Sequence, residues 1–205
     1  MAGTDHGAGD GWQGPQPVFI LVRPQMGENI GAAARAMWNF GLEHMRLTAP
    51  RDGWPNPAAV AMASGAARVL DQVRVDGTTA EALGDLNHVY ATTARPRELT
   101  KAVMTPQQAM EDARERVARG EKVGVLFGPE RAGLENADVV LANTVITVPV
   151  NPAFASLNLA QCVLLVAYEW GQAAGLPQAQ PHDVPRPASR IEIDRLAESL
   201  EARLE

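Results

Sequence analysis

The stretch NPAFASLNLAQCVLLVAYEW, Asn151–Trp170, opens with Asn, Pro, Ser and a second Asn before it turns into an apolar helical run. One Ser or Asn is enough to cap a helix, so the extra small and polar residues at this mouth point to something bound there besides the helix's own N–H groups. Just upstream, TVITVPV (Thr144–Val150) is a short β-branched run of the kind buried in parallel sheets. Strand, polar loop and helix in that order make part of a βαβ unit, and the same order recurs along the chain.

VFILV (Val18–Val22) reads as a buried strand, followed by RPQMGE and then NIGAAARAMWNFG, where Asn29 serves as cap, Ala-rich sequence propagates a helix and Gly41 ends it. MRLT (Met45–Thr48) is a second strand, Pro55–Leu70 one small-residue helix, VRV a short strand, TTAEALGDL a helix and HVYATTA another strand. TPQQAMEDARERVARG (Thr105–Gly120) has a Thr cap, Pro in the first helical position and a terminal Gly, and KVGVLFG is a further strand. This alternation predicts an α/β fold, a mostly parallel sheet flanked by helices on both faces. In such sheets ligands sit at the carboxyl ends of strands, which directs attention to the loops RPQMGEN, TTARPRELTK, GPERAGL and NPAFASLN.

Composition sets the frame around these loops. A chain of 205 residues with 46% hydrophobic content supports one main domain, expected over 18–175. A Gly-, Gln- and Pro-rich lead-in (1–17) is expected to be disordered, and a proline-rich linker (176–188) leads to an amphipathic helix (189–205) with a Ser189/Glu192 capping box and an apolar stripe of Ile193, Leu196, Leu200 and Leu204. With no long uncharged apolar run and no signal-peptide pattern, the expected setting is cytoplasmic, without a membrane partner. The single Cys162 excludes an internal disulfide, and His6, His44, His88 and His182 lack metal-ligand spacing, so no metal is expected. A net charge of −6 speaks against coating nucleic acid nonspecifically. Arg95, Arg97 and Lys101 against Glu98, with Arg23 after the first strand, still allow a localised RNA contact.

Taken singly, the loops are weak signals. GPERAGL has the glycine spacing of a phosphate loop, but Leu134 stands where Lys would follow, and no GxGxxG follows any strand. Glu130 beside Arg131 reads as a solvated surface ion pair. Gly31 lies one helical turn before Arg35; it either clears space for a ligand to approach the guanidinium or lets the helix pack closely while Arg35 snorkels into water. Ser156 or Asn158 caps the helix that follows.

Together and in this order, N-x-G-x-x-x-R (Asn29, Gly31, Arg35), FGPERAGL and NPAFASLNLA resemble the three motifs of the SpoU/TrmH group of RNA 2′-O-methyltransferases in the SPOUT superfamily, over about Val18–Trp170. Within the group the chain is most similar to the TrmJ branch, which methylates a pyrimidine ribose at position 32, at the edge of the tRNA anticodon loop. The resemblance implies a deep C-terminal trefoil knot, a homodimer, S-adenosyl-L-methionine as methyl donor with S-adenosyl-L-homocysteine as product, and tRNA as substrate. It places Thr92, Thr93, Ala94, Gly128, Val148, Ser156, Leu157 and Asn158 at the cofactor and Asn29, Arg35, Glu130, Ser156 and Asn158 around the reacting ribose. Arg35 is commonly assigned there as general base, yet a free guanidinium titrates at about 12 or higher; clamping the adjoining phosphate is the chemically easier part. Ala91 and Pro96 depart from the commonest TrmJ pattern. The alternatives are another tRNA or rRNA 2′-O-methyltransferase, or a noncatalytic RNA-binding protein with a relict pocket.

Overall fold

The structure, a computed structural model, describes residues 14–94, 101–173 and 191. Seven strands form one sheet in the order β3-β2-β1-β6-β4-β7-β5, every pair parallel. They are β1 (Val18–Val22), β2 (Met45–Thr48), β3 (Arg74–Asp76), β4 (His88–Thr92), β5 (Ala102–Met104), β6 (Val123–Phe127) and β7 (Thr144–Ile146). The central strands β4, β6 and β7 are buried at every position, whereas the edge strands β3 and β5 are largely exposed. This is why the central strands read as unbroken apolar runs. β5 was not legible in the sequence, being three residues at an edge with Ala102 and Val103 in water.

Helices α1 (Gly27–Asn39), α2 (Pro57–Ala63), α3 (Ala67–Asp71), α4 (Thr79–Leu83), α5 (Pro106–Ala118), α6 (Asn136–Leu141) and α7 (Leu159–Ala173) cover the two faces. Alternation within β1 feeds two cores: Phe19 and Leu21 join Met37, Met110 and Trp170, while Ile20 and Val22 join Ala82, Leu134 and Val139. The Thr105/Gln108 capping box and Pro106 start α5 as its sequence predicts. Two helix expectations need correction. Pro55–Leu70 is not one helix, because Ser64 and Gly65 take left-handed φ of 43° and 94° and divide it into α2 and α3. Asn29 does not cap α1: the cap position is Met26, with no side-chain hydrogen bond, and Asn29 sits within the first turn, its amide free for another purpose.

Gln16, at the end of the expected lead-in, donates to the Gly41 carbonyl and accepts from the Glu43 N–H. The remaining lead-in up to residue 13, the linker 176–188 and the stripe residues Ile193, Leu196, Leu200 and Leu204 lie outside the described residues. Among the described residues no helix is long and apolar enough to cross a membrane.

Candidate active site at the carboxyl ends of the central strands

Four adjacent strands, β1, β6, β4 and β7, deliver the four loops singled out in the sequence to one end of the sheet. After β6 the chain turns sharply: the Gly133 N–H donates to the Pro129 carbonyl (2.9 Å) and the Ala132 N–H to the Glu130 carbonyl (2.9 Å). Gly128 makes this fold-back possible, since a Cβ there would lie 2.2 Å from the Leu134 nitrogen. Arg131 occupies the turn at φ 72°.

Glu130 does not pair with Arg131 as its sequence neighbourhood suggests. Its carboxylate points inward, accepting from the Gln25 N–H (2.8 Å) and from Asn29 Nδ2 (2.6 Å). A carboxylate only accepts, so Asn29 must turn its amide nitrogen toward Glu130 and its oxygen outward. That oxygen accepts from Asn158 Nδ2 at 3.0 Å. Asn158 Oδ1 in turn accepts from the N–H groups of Ala160 (2.8 Å) and Gln161 (3.4 Å), so Asn158 and not Ser156 caps α7. All three sequence motifs thus meet in one chain of hydrogen bonds, Glu130 to Asn29 to Asn158.

Arg35 stays apart from it. Six residues beyond Asn29 on α1, its side chain is exposed and makes no hydrogen bond or ion pair with a described residue. Of the two readings of Gly31, the structure supports close packing. A Cβ there would lie 2.2 Å from the Ala59 carbonyl oxygen, so the glycine admits α2 against α1.

Beside the hydrogen-bonded chain lies a cavity of about 290 Å³. Thr92, Thr93, Ala94, Gly128, Val148, Ser156 and Leu157 line it, together with Glu130; Asn158, Asn29 and Arg35 do not. Its apolar wall is Phe127, Ile146, Val150 and Leu159, and Cys162 of α7 completes the lining. Burial pushes the Cys162 thiol up to about 11 against an opposing hydrogen bond to Thr92, so it lines the cavity as a neutral group. Thr92 donates to the Leu126 carbonyl (2.9 Å) and Thr147 to the Thr93 carbonyl (3.2 Å), fixing the strand ends that form the floor. The sequence reading missed Cys162 and Arg131 as lining residues: Cys162 looks like one more apolar position of α7, and Arg131 looks like a surface charge.

The cations expected at RNA divide. Arg23 places its guanidinium on buried Asp138 (2.6 and 3.3 Å), which also accepts from Thr79 (2.8 Å) and the Glu135 N–H (3.1 Å). Burial alone would raise the Asp138 pKa, but these donors hold it below its ordinary value. The Lys101 ammonium caps the end of α6, donating to the carbonyls of Val140 (3.0 Å) and Ala142. Arg95, Arg97 and Pro96 lie outside the described residues.

Residues 16–168 match the family model described as SpoU rRNA Methylase family. The chain belongs to that family. Among curated SpoU relatives, the tRNA (cytidine/uridine/adenosine-2′-O-)-methyltransferase TrmJ of Pseudomonas aeruginosa is 38% identical over 162 residues, covering 77% of this chain and 63% of the relative. The chain thus spans less than two thirds of that relative. The crystal structure of TrmJ from Z. mobilis superposes with a TM-score of 0.72 at 58% identity, covering 92% of this chain and 79% of that one. The SpoU methyltransferase AviRb from Streptomyces viridochromogenes, solved with AdoMet, superposes at 0.62 over 82% of this chain and 62% of its own; at 17% identity that likeness concerns the SpoU fold alone.

Proposed function

We propose that this protein transfers a methyl group from S-adenosyl-L-methionine to a ribose 2′-hydroxyl of tRNA, at a cytidine or uridine in position 32 of the anticodon loop. The observation that carries the reading is the cavity itself. Its lining gathers every cofactor residue expected from the sequence except Asn158, and it adjoins the Glu130–Asn29–Asn158 chain. The lining suits the methyl donor: Phe127, Ile146, Val150 and Leu157 offer an apolar slot for a purine, while the close turn at Gly128 brings backbone groups to its edge. When bound, the donor supplies an electrophilic methyl on a positive sulfonium, so no additional leaving-group activation is needed.

The protein's part is positioning and a path for one proton. Glu130 holds Asn29, and Asn29 holds Asn158, so the loops after β6 and β7 are locked against the start of α1. Ser156, exposed on the cavity lining, is placed to meet the donor or the ribose. Arg35, exposed and without a partner among the described residues, is available to grip the phosphate next to the target and orient the hydroxyl, whose proton passes to a phosphate oxygen or water.

A homodimer is part of the proposal. Leu164, Leu165 and Tyr168 stand exposed on α7 (40%, 37% and 44%), an apolar face that a second copy would cover. A trefoil knot is also part of the proposal; in the strand order β7 lies between β4 and β5. Calorimetry should show S-adenosyl-L-homocysteine binding, and label from methyl-labelled donor should appear in bulk tRNA. Homocysteine-product binding with no transfer to any RNA would favour the relict-pocket alternative.

A further inference from the structure

Arg131 is an unusual choice for its position. Its φ of 72° lies in the left-handed region, where glycine is unstrained and a residue with a Cβ is not. The turn nonetheless carries an arginine, exposed on the rim of the cavity and without a hydrogen bond or ion pair to any described residue. Strain kept at a ligand site is a pointer to a part the side chain plays there. The charge that could have neutralised it, Glu130, is committed to Gln25 and Asn29.

A second guanidinium stands nearby on a different loop. In the sheet β1 lies between β2 and β6, so the loops that follow β2 and β6 flank the one that follows β1. Arg51, on the loop after β2, donates its backbone N–H to the Pro24 carbonyl (3.1 Å), next to the Gln25 that holds Glu130. Its side chain is 58% exposed and, among the described residues, forms its ion pair with its neighbour Asp52, itself 46% exposed, with a weaker attraction to the Glu130 carboxylate. Such a pair is weak in water and exchanges readily for a stronger anion. Arg51 does not line the cavity, whereas Arg131 does.

We infer that Arg131 and Arg51 form a two-cation clamp for the phosphodiester backbone of the substrate RNA flanking the methylated ribose. The inference rests on the RNA methyltransferase reading above and adds residues to it. A ligand confined to the cavity, such as the carboxylate of the methyl donor, would reach Arg131 and not Arg51. A polynucleotide strand extending from the ribose toward the loop after β2 reaches both, and planar guanidinium groups suit phosphate oxygens.

The test uses the 205-residue chain, an unmodified tRNA transcript and S-adenosyl-L-homocysteine. Arg131→Gly removes the charge and relieves the strained backbone together. It should raise the melting temperature, weaken tRNA binding about tenfold at 0.1 M salt and lower the salt-dependence slope by about 0.7 to 0.9, one phosphate contact. Affinity for S-adenosyl-L-homocysteine should not change. Arg51→Ala should lower the slope by a similar amount, and Arg131→Lys should retain part of the tRNA affinity lost by the glycine variant. Unchanged tRNA affinity and slope in Arg131→Gly would overturn the clamp while leaving the methyltransferase reading intact. Loss of homocysteine-product affinity with tRNA binding unaltered would assign Arg131 to the cofactor instead. A wild-type chain that binds no tRNA under any salt condition removes both readings.

Discussion

The two ends of the sheet treat charge and backbone in opposite ways. At the amino ends of the strands, Arg46 donates to Asp85 (2.6 Å) and to the Ala82 carbonyl (2.5 Å), holding Asp85 down to about 2 from its ordinary 3.8. Arg116 bridges Asp112 (2.8 Å) and Glu121 (3.0 Å), and the buried Tyr90 hydroxyl donates to the same Asp112. At the carboxyl ends, three non-glycine residues, Arg23, Ala49 and Arg131, sit at left-handed φ. There Arg131 lacks a partner among the described residues, and Arg51 pairs with an exposed neighbour. Satisfied networks stabilise one end; the other keeps strain and available cations where a ligand can use them.

Substitutions at the two ends should therefore fail differently. The largest effect is expected for Arg35→Ala, which should lower methyl transfer at least a hundredfold, in the range of a lost positioning or charge-stabilising group. Cofactor affinity should stay within about twofold by calorimetry, because Arg35 does not line the cavity. An Arg35→Ala enzyme with normal turnover would remove the residue from the chemistry. Arg35→Lys then asks whether charge suffices or the planar fork is needed.

Arg23→Ala probes a tightly paired cluster at the carboxyl end. It strands Asp138, whose side chain is only 5% exposed, and should cost about 2 to 4 kcal/mol in denaturant unfolding. Because the same residue anchors the turn that presents the Gln25 N–H to Glu130, turnover should fall as well. Stability loss with full activity would show that this cluster belongs with the structural end.

Acid sharpens the comparison at smaller amplitude. Asp85 and Asp138 both have folded pKa values below their ordinary 3.8, so their stabilising contribution is complete above about pH 5. It is lost as pH falls, for Asp85 through the interval down to about 2. Arg46→Ala should flatten that part of the stability profile without altering tRNA binding. The smallest effect is expected for Lys122→Ala, whose 3.9 Å contact with Asp85 is 67% exposed on the lysine side. It should change stability by under about 0.5 kcal/mol and activity not at all. A comparable loss of turnover in Lys122→Ala and Arg35→Ala would break the distinction between the ends.

Much of the fold was legible because its signals are local. VFILV, KVGVLFG and the capped stretch Thr105–Gly120 need no tertiary information to be read as strands and a helix. The division at Ser64–Gly65 was missed because small residues serve a helix and a turn alike, and β5 because a three-residue edge strand carries no period. At the site, the three motifs gave the residue types but not their partners. Asn29 looked like a cap because Asn caps helices; its bonds to Glu130 and Asn158 join residues 101 and 129 positions apart in the chain, which no local pattern encodes. For the same reason Arg23 and Lys101 looked available for RNA, although Asp138 and the end of α6 hold them.

The central claim is methyl transfer to a ribose oxygen, and nucleoside mass spectrometry tests it most directly. An unmodified tRNA transcript incubated with the protein and S-adenosyl-L-methionine carrying a deuterated methyl group should yield a 2′-O-methylated cytidine or uridine from position 32, and Arg35→Ala should yield none. Label found on a base, or no label in tRNA while the cofactor is bound, would contradict the account.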